Sequence, residues 1–210
     1  MQFIKSKYHI GSTVILLMQY EDFNPLEYLD QLTEIEKERF FEFTNDKRKR
    51  EFVATRMLRM DLVGFQHIYY NEVGAPFIKG VGYISISHTD NCVGIAYSKK
   101  FRLGLDIERV RSKISKIAHK FLSCEEMKSF HVDSDYDLTL AWTAKEVLYK
   151  LSRKKGLSFK RDLKIERVCS DKLLGKLIKS DESEEFELKC FNLNDLIITV
   201  NTSACERKNL

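Results

Sequence analysis

Apolar and polar positions alternate along this chain with two distinct periods, and the changes of period mark its elements. Residues 12–19 are β-branched and apolar, as in a central strand. Thr33 with Glu36 forms a capping box ahead of a helix carrying Ile35, Phe40 and Phe41. Apolar residues at three- and four-residue steps (Phe52, Val53, Met57, Leu58, Leu62) predict a second helix over 47–63, ending near Gly64. Residues 66–79 read as strand and turn, with a tight bend at Gly74-Ala75-Pro76. Strict alternation over Tyr83–His88 predicts a half-buried strand. Further strands are expected at Cys92–Tyr97 and Leu103–Ile107. Ser112–Leu122 turns helical, Ser123 and Glu126 make a second capping box, and 138–152 is a helix with Leu140, Val147, Leu148 and Leu151 on its apolar face. Strands are expected at Leu163–Val168, Lys176–Ile178, Glu185–Phe191 and Leu196–Thr202, with the acidic stretch 181–185 as an exposed turn.

The order of elements repeats: a long helix, then strands ending at Tyr97, and again a long helix, then strands ending at Thr202. Two similar α+β halves with a site between them are expected.

The 210 residues allow one large domain or two small ones, and 31% charged with 43% hydrophobic content describes a globular chain. A net charge of +4 suits an anionic small ligand or an acidic protein partner. The basic runs Lys47–Arg50 and Arg153–Lys155 lack an accompanying aromatic platform, so nucleic acid is not the expected partner. Five scattered cysteines without a C-x-x-C pair read as reduced thiols, and the five histidines lack zinc-site spacing. The apolar run Val14–Met18 is too short to span a membrane. A cytoplasmic protein, not bound to membrane, is expected.

Candidate chemistry concentrates between Phe101 and Lys150. Asp106 and Glu108 are two apart on a predicted strand and leave the same face. Like charges about 4 Å apart repel by roughly 4 kcal/mol at an effective dielectric near 20. A hard cation relieves that repulsion, whereas a surface pair of Glu108 with Arg109 or Arg111 is the plain alternative. Trp142, Lys145, Glu146 and Tyr149 share a helix face, with Lys150 four beyond Glu146, although Glu146 and Lys150 also make an ordinary ion pair at helical spacing. Four cations at the start of helix 47–63 oppose the macrodipole unless an anion lies nearby.

Gly104-Leu105-Asp106-Ile107-Glu108 followed by Trp142-Thr143-Ala144-Lys145-Glu146, with Lys150 beyond, resembles the Sfp-type 4′-phosphopantetheinyl transferases over about residues 30–160. Ser87-His88, Arg50, Gly74-Ala75-Pro76 and Phe121-Leu122-Ser123 with Glu126 are similar to further segments of that family. The resemblance implies an α+β fold of two similar α/β subdomains in pseudo-two-fold arrangement, here 1–102 and 103–210. The first would serve the adenosine and 3′-phosphate end of coenzyme A, the second the metal and the catalytic helix.

It further implies Mg²⁺-dependent transfer of 4′-phosphopantetheine from coenzyme A to a serine of an acyl or peptidyl carrier protein, releasing 3′,5′-ADP, by a monomer. Asp106, Glu108 and Glu146 would hold Mg²⁺. Asp106 and Lys150 would meet the coenzyme's phosphates, Lys150 neutralising charge, and Lys145 would assist the leaving group. Arg50, Gly74, Ala75, Pro76, Ser87 and His88 would bind coenzyme A, with His88 cationic against phosphate. A metal-bound water or Glu146 would take the serine proton. Ala75 stands where many members have lysine; Lys37, Lys47 and Lys79 are candidate substitutes. The alternative function is a coenzyme A or nucleotide binder without turnover.

Overall fold

The computed structural model describes residues 3–178 and 182–209, and divides into two compact units, Met1–Lys99 and Lys100–Leu210. It is a mixed α/β structure with two antiparallel sheets.

In the first unit, β1 (Phe3–Ile10), β2 (Thr13–Tyr20), β3 (Tyr69–Tyr70), β4 (Pro76–Ile78), β5 (Gly82–Thr89) and β6 (Cys92–Ser98) form one antiparallel sheet. Its order is β1-β2-β6-β5-β4-β3. β2 and β6 are nearly fully buried, which explains the unbroken apolar run of the former. β1 gave no clear strand signal. It is an edge strand, half exposed, with Lys5, Lys7 and His9 on its outer face; an exposed Ile4 and an inward Ser6 blur its apolar alternation.

Two helices cover this sheet: α1 (Glu34–Glu42) and α2 (Asp46–Val63). The capping box expected at Thr33 is present, with the Thr33 hydroxyl on the Glu36 amide and the Glu36 carboxylate on the Thr33 amide. That same carboxylate accepts from Arg56 at 3.1 Å and Arg59 at 3.0 Å. All three side chains are buried, so Glu36 both starts α1 and locks it to α2. α2 ends where expected, at Gly64, whose φ of 74° no β-carbon tolerates easily.

In the second unit, β7 (Leu105–Arg109) leads through a 3₁₀ turn to α3 (Ala118–Phe121), α4 (Glu126–Ser129) and the long α5 (Asp135–Ser152). β8 (Leu163–Arg167), β9 (Lys172–Ile178), β10 (Glu182–Leu193), β11 (Leu196–Asn201) and β12 (Glu206–Asn209) follow. The sheet order is β7-β11-β10-β9-β8, with β12 also pairing to β10. α5 packs its apolar face (Leu140, Ala144, Val147, Leu148, Leu151) on this sheet. Gly104, just before β7, abuts α5: a β-carbon there would lie 2.5 Å from the Val147 carbonyl oxygen.

The acidic stretch departs from expectation. Residues 182–185 belong to β10 and pair with β12, and 183–185 pair with β9 as well; Asp181 lies outside the described residues. Glu184 is buried and ion-paired with Arg102. A partly buried partner cation some eighty residues away offsets the desolvation penalty that made an exposed turn the simpler reading. Among the described residues, no helix is long and apolar enough to cross a membrane.

Candidate functional site

β7 and α5 bring together side chains about forty residues apart in sequence. Pairing of Asp106 with Thr199 and Glu108 with Ile197 fixes the register of β7 on β11. α5 is started by Ser134, whose hydroxyl accepts from the Asp137 amide, and it stops at Arg153 in the left-handed conformation. Lys150, in its last turn, donates to the Leu105 carbonyl at 2.7 Å and to Asp106 Oδ1 at 2.8 Å. One ammonium thereby ties the end of the helix to the start of the strand.

Glu108 and Glu146 sit within electrostatic reach of Asp106. Burial, reinforced by the Asp106 and Glu108 charges and opposed by Lys150, pushes the Glu146 carboxyl up to about 7. Glu108 is likewise raised by burial and by Asp106, against a hydrogen bond from Trp142 and the charges of Arg111 and Lys150. Trp142 is oriented by stacking on Phe159, ring centroids 5.3 Å apart, and by an edge contact to Phe121. A cavity of about 250 Å³ opens beside Glu108, with Arg111, Lys113, Ile114 and Trp142 among its walls.

The raised Glu146 has a consequence for stability without metal. An unfolded glutamate gives up its proton near 4.5, whereas folded Glu146 keeps it to about 7. Between those values the folded chain binds more protons, so stability falls as pH rises through this window and levels off above it. At about 1.4 kcal/mol per pH unit, the loss is on the order of 3 kcal/mol. Urea midpoints in EDTA at pH 5 and pH 8 should show this fall, and Glu146→Gln should flatten much of it. Equal slopes for the two proteins would refute the burial reading.

Lys145 lies apart from these carboxylates. It is fully buried and donates to Glu126 Oε2, the Phe159 carbonyl and the Leu163 carbonyl, each at 2.8 Å. Burial lowers its pKa to about 8, against the pull of Glu126. An ammonium has three protons and all three are used, leaving none for a leaving group. Glu126 in turn accepts from the Ser123 amide at 2.7 Å and the Ile165 amide at 3.0 Å. The pair clamps α5 to α4 and β8. The capping box at Ser123 signalled half of this arrangement; only the fold reveals the other half.

In the first unit, Ser87 is buried and His88 stands half exposed near the end of β5. His88 meets Arg48 and Glu51, while Arg50 faces Asp22 at 3.5 Å. Gly74-Ala75-Pro76 closes the β3–β4 turn, where the Asn71 side chain accepts from the Ala75 amide at 2.8 Å. Of the proposed substitutes for a lysine there, Lys37 pairs with Glu34 and Lys47 with Asp90. Lys79 lies 4.4 Å above the Tyr69 ring.

Among the described residues no three histidine, cysteine, aspartate or glutamate side chains converge as a ready-made metal site. The donor set of Asp106, Glu108 and Glu146 nevertheless fits a hard divalent cation in its chemistry. It offers carboxylate oxygens only and carries more negative charge than Lys150 balances; burial first, and the neighbouring carboxylates second, raise the proton affinity of Glu108 and Glu146.

No curated protein matches the chain. Residues 102–200, which contain Asp106, Glu108, Glu146 and Lys150, match the family model of the 4′-phosphopantetheinyl transferase superfamily, so the chain carries a domain of that superfamily there.

Proposed function

We propose that the protein transfers 4′-phosphopantetheine from coenzyme A to a serine of an acyl or peptidyl carrier protein, as an Sfp-type enzyme does, releasing 3′,5′-ADP. The observation that carries this reading is the Lys150–Asp106 ion pair, with Glu108 and Glu146 within electrostatic reach of Asp106, inside the matched residues. Asp106, Glu108 and Glu146 would hold Mg²⁺, which when bound offsets the charge of the coenzyme's pyrophosphate.

Lys150, already oriented by the Leu105 carbonyl, presents its ammonium to the phosphate oxygens. The serine oxygen forms its bond to the β-phosphorus as the bond from that phosphorus to the bridging oxygen breaks, and the bridging oxygen leaves with 3′,5′-ADP. A metal-bound water or Glu146 would take the serine proton. Arg50, Ser87 and His88 for the 3′-phosphate and adenosine, and Gly74, Ala75 and Pro76 for the coenzyme, are assignments from the resemblance. The cationic walls of the cavity beside Glu108 suit an acidic carrier surface.

The test is a mass measurement. Incubation with coenzyme A, Mg²⁺ and unmodified acyl or peptidyl carrier proteins should add one phosphopantetheine to the carrier. EDTA should abolish the gain and excess Mg²⁺ restore it. No gain on any of several carriers, with coenzyme A still bound, would leave the non-catalytic coenzyme A binder as the better reading.

A further inference from the structure

Asn201 ends β11 as a fully buried amide that the site described above does not use. Asparagine is depleted in strands, and a buried one persists when its polar atoms are paired. The Gly104 amide donates to Asn201 Oδ1 at 2.9 Å, and Asn201 Nδ2 donates to the Arg102 and Ser203 carbonyls, each at 3.0 Å. Both protons of the carboxamide are used. Two carbonyls on one side and an N–H on the other fix which way it points.

These bonds fall where the strand ladder gives out. β7 pairs with β11 in register from Leu105, opposite Val200. One residue earlier, the bond from the Asn201 amide to the Gly104 carbonyl is stretched to 3.4 Å. The Asn201 side chain continues the pairing over residues 102–104 in place of the backbone. On its other side the same segment meets α5: Gly104 lies against Val147, and the Leu105 carbonyl accepts from Lys150 at 2.7 Å. Arg102 is anchored in addition by its ion pair with Glu184. The entry into β7 is thus held between an amide of β11 and the last turns of α5.

Asp106 and Glu108 follow this segment on β7, whereas Glu146 stands on α5. A cation shared by the three needs the two elements in one fixed relation, and Asn201 holds the strand's part of it. Residues that orient metal ligands without touching the metal commonly set its affinity. We propose that Asn201 is a positioning residue for the divalent-cation site, fixing the entry into β7 so that Asp106 and Glu108 meet Glu146 around one ion. The proposal rests on the Mg²⁺ reading above and gives β11 a part in the site that none of the charged residues supplies.

A direct Mg²⁺ titration of the full chain tests it. Trp142 is the chain's single tryptophan and donates a hydrogen bond to Glu108, so its fluorescence reports the cation without any turnover. Asn201→Ser should raise the Mg²⁺ dissociation constant about tenfold, the lower end of the span seen when an outer partner of a metal ligand is removed. Transfer activity should fall with it at low Mg²⁺ and recover as Mg²⁺ is raised. Arg56→Met, which breaks a buried ion pair in the first unit, should lower stability yet leave the Mg²⁺ constant unchanged. Should Asn201→Ser fail to fold, Asn201→Gln keeps the same donor and acceptor on a longer stem and should show the same direction of change. An unchanged constant in a folded Asn201 variant overturns the proposal, as does an equal rise in Arg56→Met, and either result leaves the Mg²⁺ reading standing. If Mg²⁺ alters neither the fluorescence nor the unfolding midpoint of the unaltered protein, both are overturned.

Discussion

Glu146→Gln is expected to lower phosphopantetheine transfer by roughly 100- to 1000-fold, the usual loss when one preorganised electrostatic group is removed from a transfer site. The substitution keeps the shape of the side chain and removes its charge, and that charge belongs to a set of three carboxylates facing one lysine. Two further readouts separate this loss from misfolding. Without metal at pH 8, the variant should be at least as stable as the unaltered protein, because the buried charge is gone. Added Mg²⁺, which at a hundred times its dissociation constant stabilises by about 2.7 kcal/mol, should raise the unfolding midpoint of the unaltered protein but not of the variant. Full transfer activity in Glu146→Gln would sink the assignment of this carboxylate. An equal Mg²⁺ effect on both proteins would sink its part in holding the metal.

Lys145→Met should act on stability instead. Removing one partner of a buried ion pair leaves the other charged and desolvated, at about 3–5 kcal/mol. Here the abandoned partner is Glu126, which is 5% exposed, and the Phe159 and Leu163 carbonyls also lose their donor. A urea titration followed by circular dichroism would read the loss. Activity per folded molecule should stay within about tenfold, since the ammonium is fully engaged within the fold. A shift under about 1 kcal/mol, with a large fall in activity per folded molecule, would instead return Lys145 to the leaving-group role implied by the resemblance.

Lys145 also illustrates how far the chain could be read before folding. The helical period placed Trp142, Lys145, Glu146 and Tyr149 close together on one helix, and α5 does span them. Period alone gives an angle around the axis, not what the axis packs against. Lys145 and Glu146 are neighbours, yet one enters a clamp to α4 and β8 while the other meets the carboxylates of β7. Capping boxes at Thr33 and Ser123 were legible because their partners lie three residues apart. The second partners of Glu36 and Glu126, from 19 to 39 residues away, were not. The same holds for Glu184 and Arg102, where sequence composition suggested a solvated turn and the fold supplies a strand. The strand and helix periods located the elements. Charges whose partners are distant in sequence carried no local signal of their burial.

Gly104 gives the site a property of its own. It is not in the left-handed region, so the reason for glycine there is space: the backbone before β7 touches the backbone of α5 at Val147. Val147 follows Glu146 directly and precedes Lys150 by less than one turn, while Asp106 is two residues beyond Gly104. The distance between the strand carboxylates and the helix groups is therefore gauged by main chain against main chain, a stop that rotamer changes cannot alter. A single added methyl at position 104 would act as a shim, moving the helix groups away from the strand carboxylates while every charged residue stayed in the sequence.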